Sequence, residues 1–255
     1  MALTTDTVVC VPGLGGAAFD WDGVVRLLHD DYALVRYERN GLHPTLRGEA
    51  DRLAEAAAGL PVVVAAHSVA AFHAEAFARL YPDLVCGLVL VDPSNEPRPP
   101  RPSRAKEALV RAAGRVLAPF APLVGPPLRR AVVGRQSASG RDVGPREGIR
   151  ERYGDPRTLR AAAAELAAYD RMAADLAALR RARPFPDVGL TVLSAPAAPE
   201  WRRRHEALAR MSPQGRRIEV RPAGHMLHVD FPEVVAEAAD ELAQGLGRER
   251  SLGGR

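Results

Sequence analysis

A serine hydroxyl is a poor nucleophile until a neighbouring base takes its proton, so a reactive serine is recognised by where the chain puts it. Ser68 sits between a β-branched run, Pro61–Ala66, and a segment in which Val69, Phe72, Ala76 and Leu80 keep helical spacing. A strand that turns so sharply into a helix strains its central residue and exposes the hydroxyl above the sheet edge. Small residues are then needed two positions before and after it, and Ala66 and Ala70 supply them. A serine so placed could attack a carbonyl carbon, given an imidazole to accept its proton and a carboxylate to orient the imidazole. His225 and His228 lie in a late loop, Ala223–Glu233, from which an imidazole can reach back over Ser68. His67 and His73 flank the junction and are expected to pack or hydrogen-bond locally. His29, His43 and His205 are expected at the surface.

Other segments extend the pattern. Val8–Val11 reads as a buried strand running into Pro12-Gly13-Leu14-Gly15-Gly16, followed by Phe19-Asp20-Trp21. Tyr37-Glu38-Arg39-Asn40-Gly41 follows a second strand, and Leu88-Val89-Leu90-Val91-Asp92-Pro93-Ser94 follows the helix after Ser68. With Ala66-His67-Ser68-Val69-Ala70 and Ala223-Gly224-His225, these five motifs resemble those of the α/β-hydrolase family in order and spacing, over nearly the whole chain. The resemblance implies Ser68 as nucleophile and His225, directly after the glycine, as general base. It implies an oxyanion hole from the backbone N–H groups of Leu14 and Val69, with Gly13, Trp21, His67 and Met226 against the substrate. The family's usual acid position falls on Ala198. The resemblance therefore leaves two acids, both keeping the order serine, acid, histidine: Asp92, which is preferred, and Glu200 as the alternative. Pro12 stands where the family commonly has histidine, which removes a buttressing side chain but no backbone donor.

These residues need a frame. Strands are expected near 7–11, 33–38, 61–66, 86–92, 190–194 and 216–221, alternating with helices near 21–29, 46–58, 69–80, 200–210 and 232–244. That alternation predicts an α/β, doubly wound, mostly parallel sheet, with the N-terminal edge trimmed relative to larger family members. Gly245 and Gly247 are expected to end the last helix. The rhythm breaks after a proline-rich linker at Glu96–Pro102, and helical patterns fill the stretch up to Asp187. The clearest starts at Asp155-Pro156, an N-cap followed by a first-turn proline. The chain thus divides into a core, 1–94 and 188–255, and a helical cap, 95–187. Leu109, Val116, Leu117, Phe120 and Leu123 are expected to form an apolar pocket ceiling.

Composition narrows the function. The 255 residues are 47% hydrophobic, enough for one large core with a small lid. The net charge of +4 comes from arginines scattered among 31 acidic residues, with no recognition motif, so no nucleic-acid partner is expected. Cys10 and Cys86 fall in strands and read as small hydrophobes, and no cysteine–histidine spacing suggests a metal. No cofactor is expected. The start of the chain lacks a signal-peptide pattern, and no apolar stretch approaches the ~18 residues of a membrane span. A cytoplasmic protein without a membrane partner is the expectation. The leading reading is a serine hydrolase acting on a small ester, thioester or lactone; a cofactor-free haloperoxidase belongs to the same branch. A serine at this position argues against the dehalogenase and epoxide-hydrolase relatives, which use aspartate. The second reading is a weakly catalytic protein holding an apolar ligand under the cap. It is motivated by the alanines beside Ser68, by Pro12 and by the missing acid at Ala198.

Overall fold

A computed structural model describes residues 7–28, 32–39 and 41–253, with side chains up to Gln244. Six strands form one parallel sheet: β1 (Thr7–Val11), β2 (Ala33–Arg36), β3 (Val62–His67), β4 (Val85–Val91), β5 (Gly189–Ser194) and β6 (Gly215–Glu219). Their order across the sheet is β2-β1-β3-β4-β5-β6. The central strands are valine-, leucine- and alanine-rich because helices cover both of their faces, and β3 is buried along its whole length. The register pairs Val11 with Ala66 and His67 with Val91, so the C-terminal ends of β1, β3 and β4 finish level.

The chain leaves β1 towards β2 on one side and returns to β3 on the other. A doubly wound sheet opens a crevice at such a reversal, beyond the carboxyl ends of its strands. The glycine loop follows β1 and Ser68 follows β3, so this crevice lies between the two motifs. The helices α1 (Asp22–Leu27) and α10 (Pro232–Gly253) pack together on the sheet. α2 (Leu46–Ala56) and α3 (Ala70–Leu80) pack against each other and share the other apolar cluster with the sheet. α3 is rich in alanine, which lets it lie buried from Ala70 to Arg79 between its neighbours. α8 (Pro199–Ala209) covers β5 and β6, and a single turn, α9 (Leu227–Asp230), precedes α10.

Between β4 and β5 every regular element is helical: α4 (Arg104–Leu117), a 3-10 turn (Ala118–Phe120), α5 (Ala121–Gln136), α6 (Arg146–Gly154) and α7 (Pro156–Ala182). Asp155 caps α7 through a 2.8 Å bond from the Arg157 N–H, with Pro156 in the first turn where its missing N–H costs nothing.

Three sequence expectations are corrected. β4 ends at Val91, so Asp92 stands just outside the strand. α10 runs through Gly245 and Gly247 to Gly253. Leu109, Val116, Leu117, Phe120 and Leu123 do not roof a pocket; all five face solvent. A helical repeat of apolar residues reveals a face without saying what that face meets.

Candidate active site

Ser68 adopts φ +55°, left-handed backbone that an L-residue reaches only at a cost. The junction is held by the Ser68 N–H donating to the Val91 carbonyl (3.0 Å) and the Ser94 N–H donating to the Ser68 carbonyl (3.0 Å). Its hydroxyl lies 3.1 Å from Nε2 of His225, whose Nδ1 lies 2.6 Å from Oδ2 of Asp92. A carboxylate can only accept, so Nδ1 carries the proton and the Nε2 lone pair faces the hydroxyl. Asp92 has φ +40° and its Oδ1 accepts the Ala195 N–H at 3.1 Å, which fixes the carboxylate plane. The structure thus brings Ser68, His225 and Asp92 into one hydrogen-bonded row. It does not bring Glu200 there. That carboxylate is exposed and paired with Arg204 one helical turn on, at 2.7 Å.

Behind His225 lies a column of rings. His67 stands 4.6 Å from His225 and 4.3 Å from His228, and His228 stands 4.7 Å from Trp21. The Nε2–H of His67 donates to the His225 carbonyl at 2.9 Å, so this ring supports the loop that carries His225. Burial pushes the His67 pKa well below the usual imidazole range and that of His228 down to about 4. Both rings are therefore neutral at pH 7. His228 has no hydrogen-bond partner on either nitrogen among the described residues, so packing is its role here. Trp21 is corrected in the same way, being fully buried in the column instead of lining the cavity. A Cβ on Gly13 would come within 2.6 Å of His67 Nδ1, so the close passage of the loop over this ring requires glycine. His205 is also corrected: it is buried, bonded to the Ser194 hydroxyl and the Pro93 carbonyl at 2.9 Å each. His29 lies outside the described residues.

Side chains tie the glycine loop at five of its backbone groups. Arg39 donates to the Gly13 carbonyl, and its guanidinium pairs with Glu165 of α7 at 2.5 Å. Oε2 of Glu165 accepts the Gly15 N–H at 3.3 Å. The Tyr153 hydroxyl of α6 donates to the Gly15 carbonyl at 2.8 Å, and Arg152 donates to the Gly16 carbonyl at 3.1 Å. Asp20 accepts the Ala17 N–H at 2.9 Å and pairs with buried Arg129 of α5, which also donates to Asp142 and to the Tyr153 hydroxyl. Burial pushes the Glu165 carboxyl up, partly offset by Arg39, and pushes the Tyr153 phenol up to about 12. By contrast, the N–H groups of Leu14 and Val69 donate to no protein acceptor among the described residues.

Of these ties, only Arg39 and Asp20 stand inside one of the sequence motifs. Arg129, Tyr153 and Glu165 lie over a hundred residues from the loop, and nothing local marks them. The insertion also ties the histidine loop: the Gln136 carbonyl accepts the Met226 N–H at 3.1 Å, and Asp230 accepts the Ala138 N–H at 2.7 Å.

A cavity of about 270 Å³ opens over Ser68 and His225. Gly13, Leu14, His67, Ser68, His225 and Met226 form its floor; Leu128, Val132, Val133, Leu159 and Ala162 form its apolar wall. Of the four expected substrate contacts, Gly13, His67 and Met226 line it and Trp21 does not. Asp20 and Arg129 also reach it, but each is already satisfied by the other.

Solved structures resemble this chain throughout. Cfl2 from Burkholderia cenocepacia superposes with a TM-score of 0.69 at 18% identity, covering 93% of this chain and 88% of that one. A thermophilic esterase from Thermogutta terrifontis gives 0.65 at 23%, covering 94% and 90%. A putative non-heme bromoperoxidase, BpoC, from Mycobacterium tuberculosis H37Rv gives 0.60 at 19%, covering 95% and 93%. At these identities the likeness establishes the fold alone. A search of curated protein sequences finds no match. The family model described as the alpha/beta hydrolase family matches residues 8–238, a span that includes the glycine loop, Ser68, Asp92 and His225, and the chain belongs to that family.

Proposed function

We propose that this protein is a serine hydrolase that cleaves a small apolar ester, thioester or lactone through an acyl-enzyme. The observation that carries the reading is the row Ser68–His225–Asp92 under an apolar cavity. Ser68 Oγ attacks the carbonyl carbon as its proton passes to His225 Nε2, and Asp92 stabilises the imidazolium. The oxyanion is received by the N–H groups of Leu14 and Val69. One such donor lowers the barrier by about 3 kcal/mol when it is aimed at the developing charge. His225 then protonates the leaving oxygen or sulfur. A water gives a proton to the same imidazole as it attacks the acyl carbon, and His225 passes that proton to Ser68 Oγ as the acyl–Oγ bond breaks.

The cavity supports the substrate class. Its volume suits a short acyl or lactone group, and its only buried charges are compensated internally. Fold likeness does not choose among these substrates, because related folds carry different chemistries. The 2.6 Å contact between Asp92 Oδ2 and His225 Nδ1 weighs against the binding-only reading that the missing acid at Ala198 had favoured. The decisive experiment is a fluorophosphonate probe. It should label the native protein once, with the modified peptide mapping to Ser68. Absence of labelling on folded protein would overturn the reading.

The glycine-loop ties carry a further expectation. Tyr153→Phe removes the hydroxyl that holds the Gly15 carbonyl, next to the Leu14 donor. Losing a positioning bond worth about 1.4 kcal/mol should cost roughly tenfold in kcat, with KM nearly unchanged, because the oxyanion forms only after binding. Affinity for a trifluoromethyl ketone, which forms the tetrahedral adduct, should fall in parallel. A change in KM alone would assign Tyr153 to substrate binding.

A further inference from the structure

The helical insertion carries one surface that the site does not use. α4, the 3-10 turn and α5 follow one another without a break from Arg104 to Gln136. Their inner side uses small residues such as Gly114, Ala118, Ala121 and Gly125 to approach the rest of the protein closely. The outer side is also apolar. Leu109, Val116, Phe120 and Leu123 are 71, 68, 53 and 76% exposed, at spacings that align them along one side of the rod. With Leu117, Val124, Leu128 and Val132, they make up eight of the fifteen exposed large apolar side chains among the described residues. Single exposed apolar residues are ordinary, but a contiguous band of them marks a contact surface.

Charge identifies the occupant. From Arg98 to Gln136 the chain has nine basic residues and one acidic residue, Glu107, which is engaged by Arg171. Arg104, Arg115, Arg130 and Arg135 are exposed and have no carboxylate partner among the described residues. A second copy of the same face would set arginine against arginine, because a two-fold contact pairs a patch with itself. An anionic bilayer fits both features: apolar side chains enter the acyl boundary and guanidiniums bind phosphate. Residues 104–136 are long and apolar enough to span a membrane by length and hydropathy. They are nevertheless anchored on the inner side, where Arg129 is fixed to Asp20 and Asp142, so the rod lies on a bilayer and does not cross it.

We propose that the outer face of α4 and α5 is a peripheral membrane-contact surface that seats the protein on anionic bilayers. This reverses the expectation from sequence that no membrane is involved and no membrane-length apolar element exists. Leu128 and Val132 both border this face and line the cavity. Where the proposed hydrolase activity holds, an apolar ester dissolved in the bilayer meets the cavity at that edge.

The test is co-sedimentation with vesicles of phosphatidylglycerol and phosphatidylcholine, compared with phosphatidylcholine alone. Wild type should pellet with the anionic vesicles and remain in solution with the neutral ones. Replacing Leu109, Val116, Phe120 and Leu123 together by serine should weaken that binding about tenfold or more. Replacing Arg104, Arg115, Arg130 and Arg135 by glutamine should remove the preference for anionic lipid. None of these eight residues lines the cavity, so turnover of a water-soluble ester should stay within about twofold, which also reports folding. Wild type that ignores anionic vesicles, or a serine variant that pellets equally well, would overturn the proposal. So would a dimer that the serine changes dissociate in a protein that binds no vesicles; the face would then belong to a second copy. Vesicle binding is read without any substrate, so its outcome is independent of whether Ser68 is a nucleophile.

Discussion

Ser68→Ala should lower turnover of any ester this protein cleaves by about 10⁶-fold, and His225→Ala by a similar factor. The two changes remove successive parts of one proton path, so the double variant should be scarcely slower than either alone. Such non-additivity separates a catalytic unit from two residues that merely shape a cavity, whose effects would multiply. Alanine suits the Ser68 position sterically as well as serine does, since it is the smaller side chain and both pay for left-handed backbone at φ +55°. The thermal midpoint of Ser68→Ala should therefore stay close to that of wild type, and circular dichroism would show the fold retained. Residual catalysis of about 10³-fold or more over water is expected from the oxyanion donors alone. A folded Ser68→Ala protein with more than a tenth of wild-type activity would place the nucleophile elsewhere.

The parts of this site that were legible in the sequence are those fixed by local constraint. A buried parallel strand must be apolar on both faces, so Val62–Ala66 and Leu88–Val91 declare themselves. Ser68 is marked by the change from strand to helix around it, and His225 by the glycine before it. The ties on the glycine loop were not legible, because they join residues more than a hundred positions apart. Tyr153, Glu165 and Arg129 look like ordinary members of amphipathic helices until the insertion folds over the loop. His205 sits in an arginine-rich helix and reads as a surface residue. It is buried because its two ring nitrogens meet the Ser194 hydroxyl and the Pro93 carbonyl. The outward leucines of α4 and α5 were misplaced for a different reason. Their spacing shows an apolar face, and an apolar face looks the same in sequence whether it roofs a cavity or meets something outside the protein.

The acid was the member that sequence left between two residues, and its replacement should give the second large effect. Asp92→Asn should lower kcat by about 10⁴-fold, while Glu200→Gln should change it less than twofold. The asymmetry follows from hydrogen-bond polarity. Oδ1 of Asp92 accepts the Ala195 N–H, and Oδ2 accepts the Nδ1 proton of His225. An asparagine here must keep its oxygen towards the Ala195 donor, which turns its NH₂ towards Nδ1. The imidazole can answer only by moving its proton to Nε2, and it then presents a donor to the Ser68 hydroxyl where a lone pair is required. The ring stays in place, held from behind by His67, so the loss falls on proton transfer and leaves KM little changed. Glu200 loses only an exposed, one-turn ion pair with Arg204, and that pair has no bond to His225. Steady-state kinetics on the two variants decide the matter: equal and small losses would mean that Asp92 does not orient the imidazole and would send the search to another carboxylate.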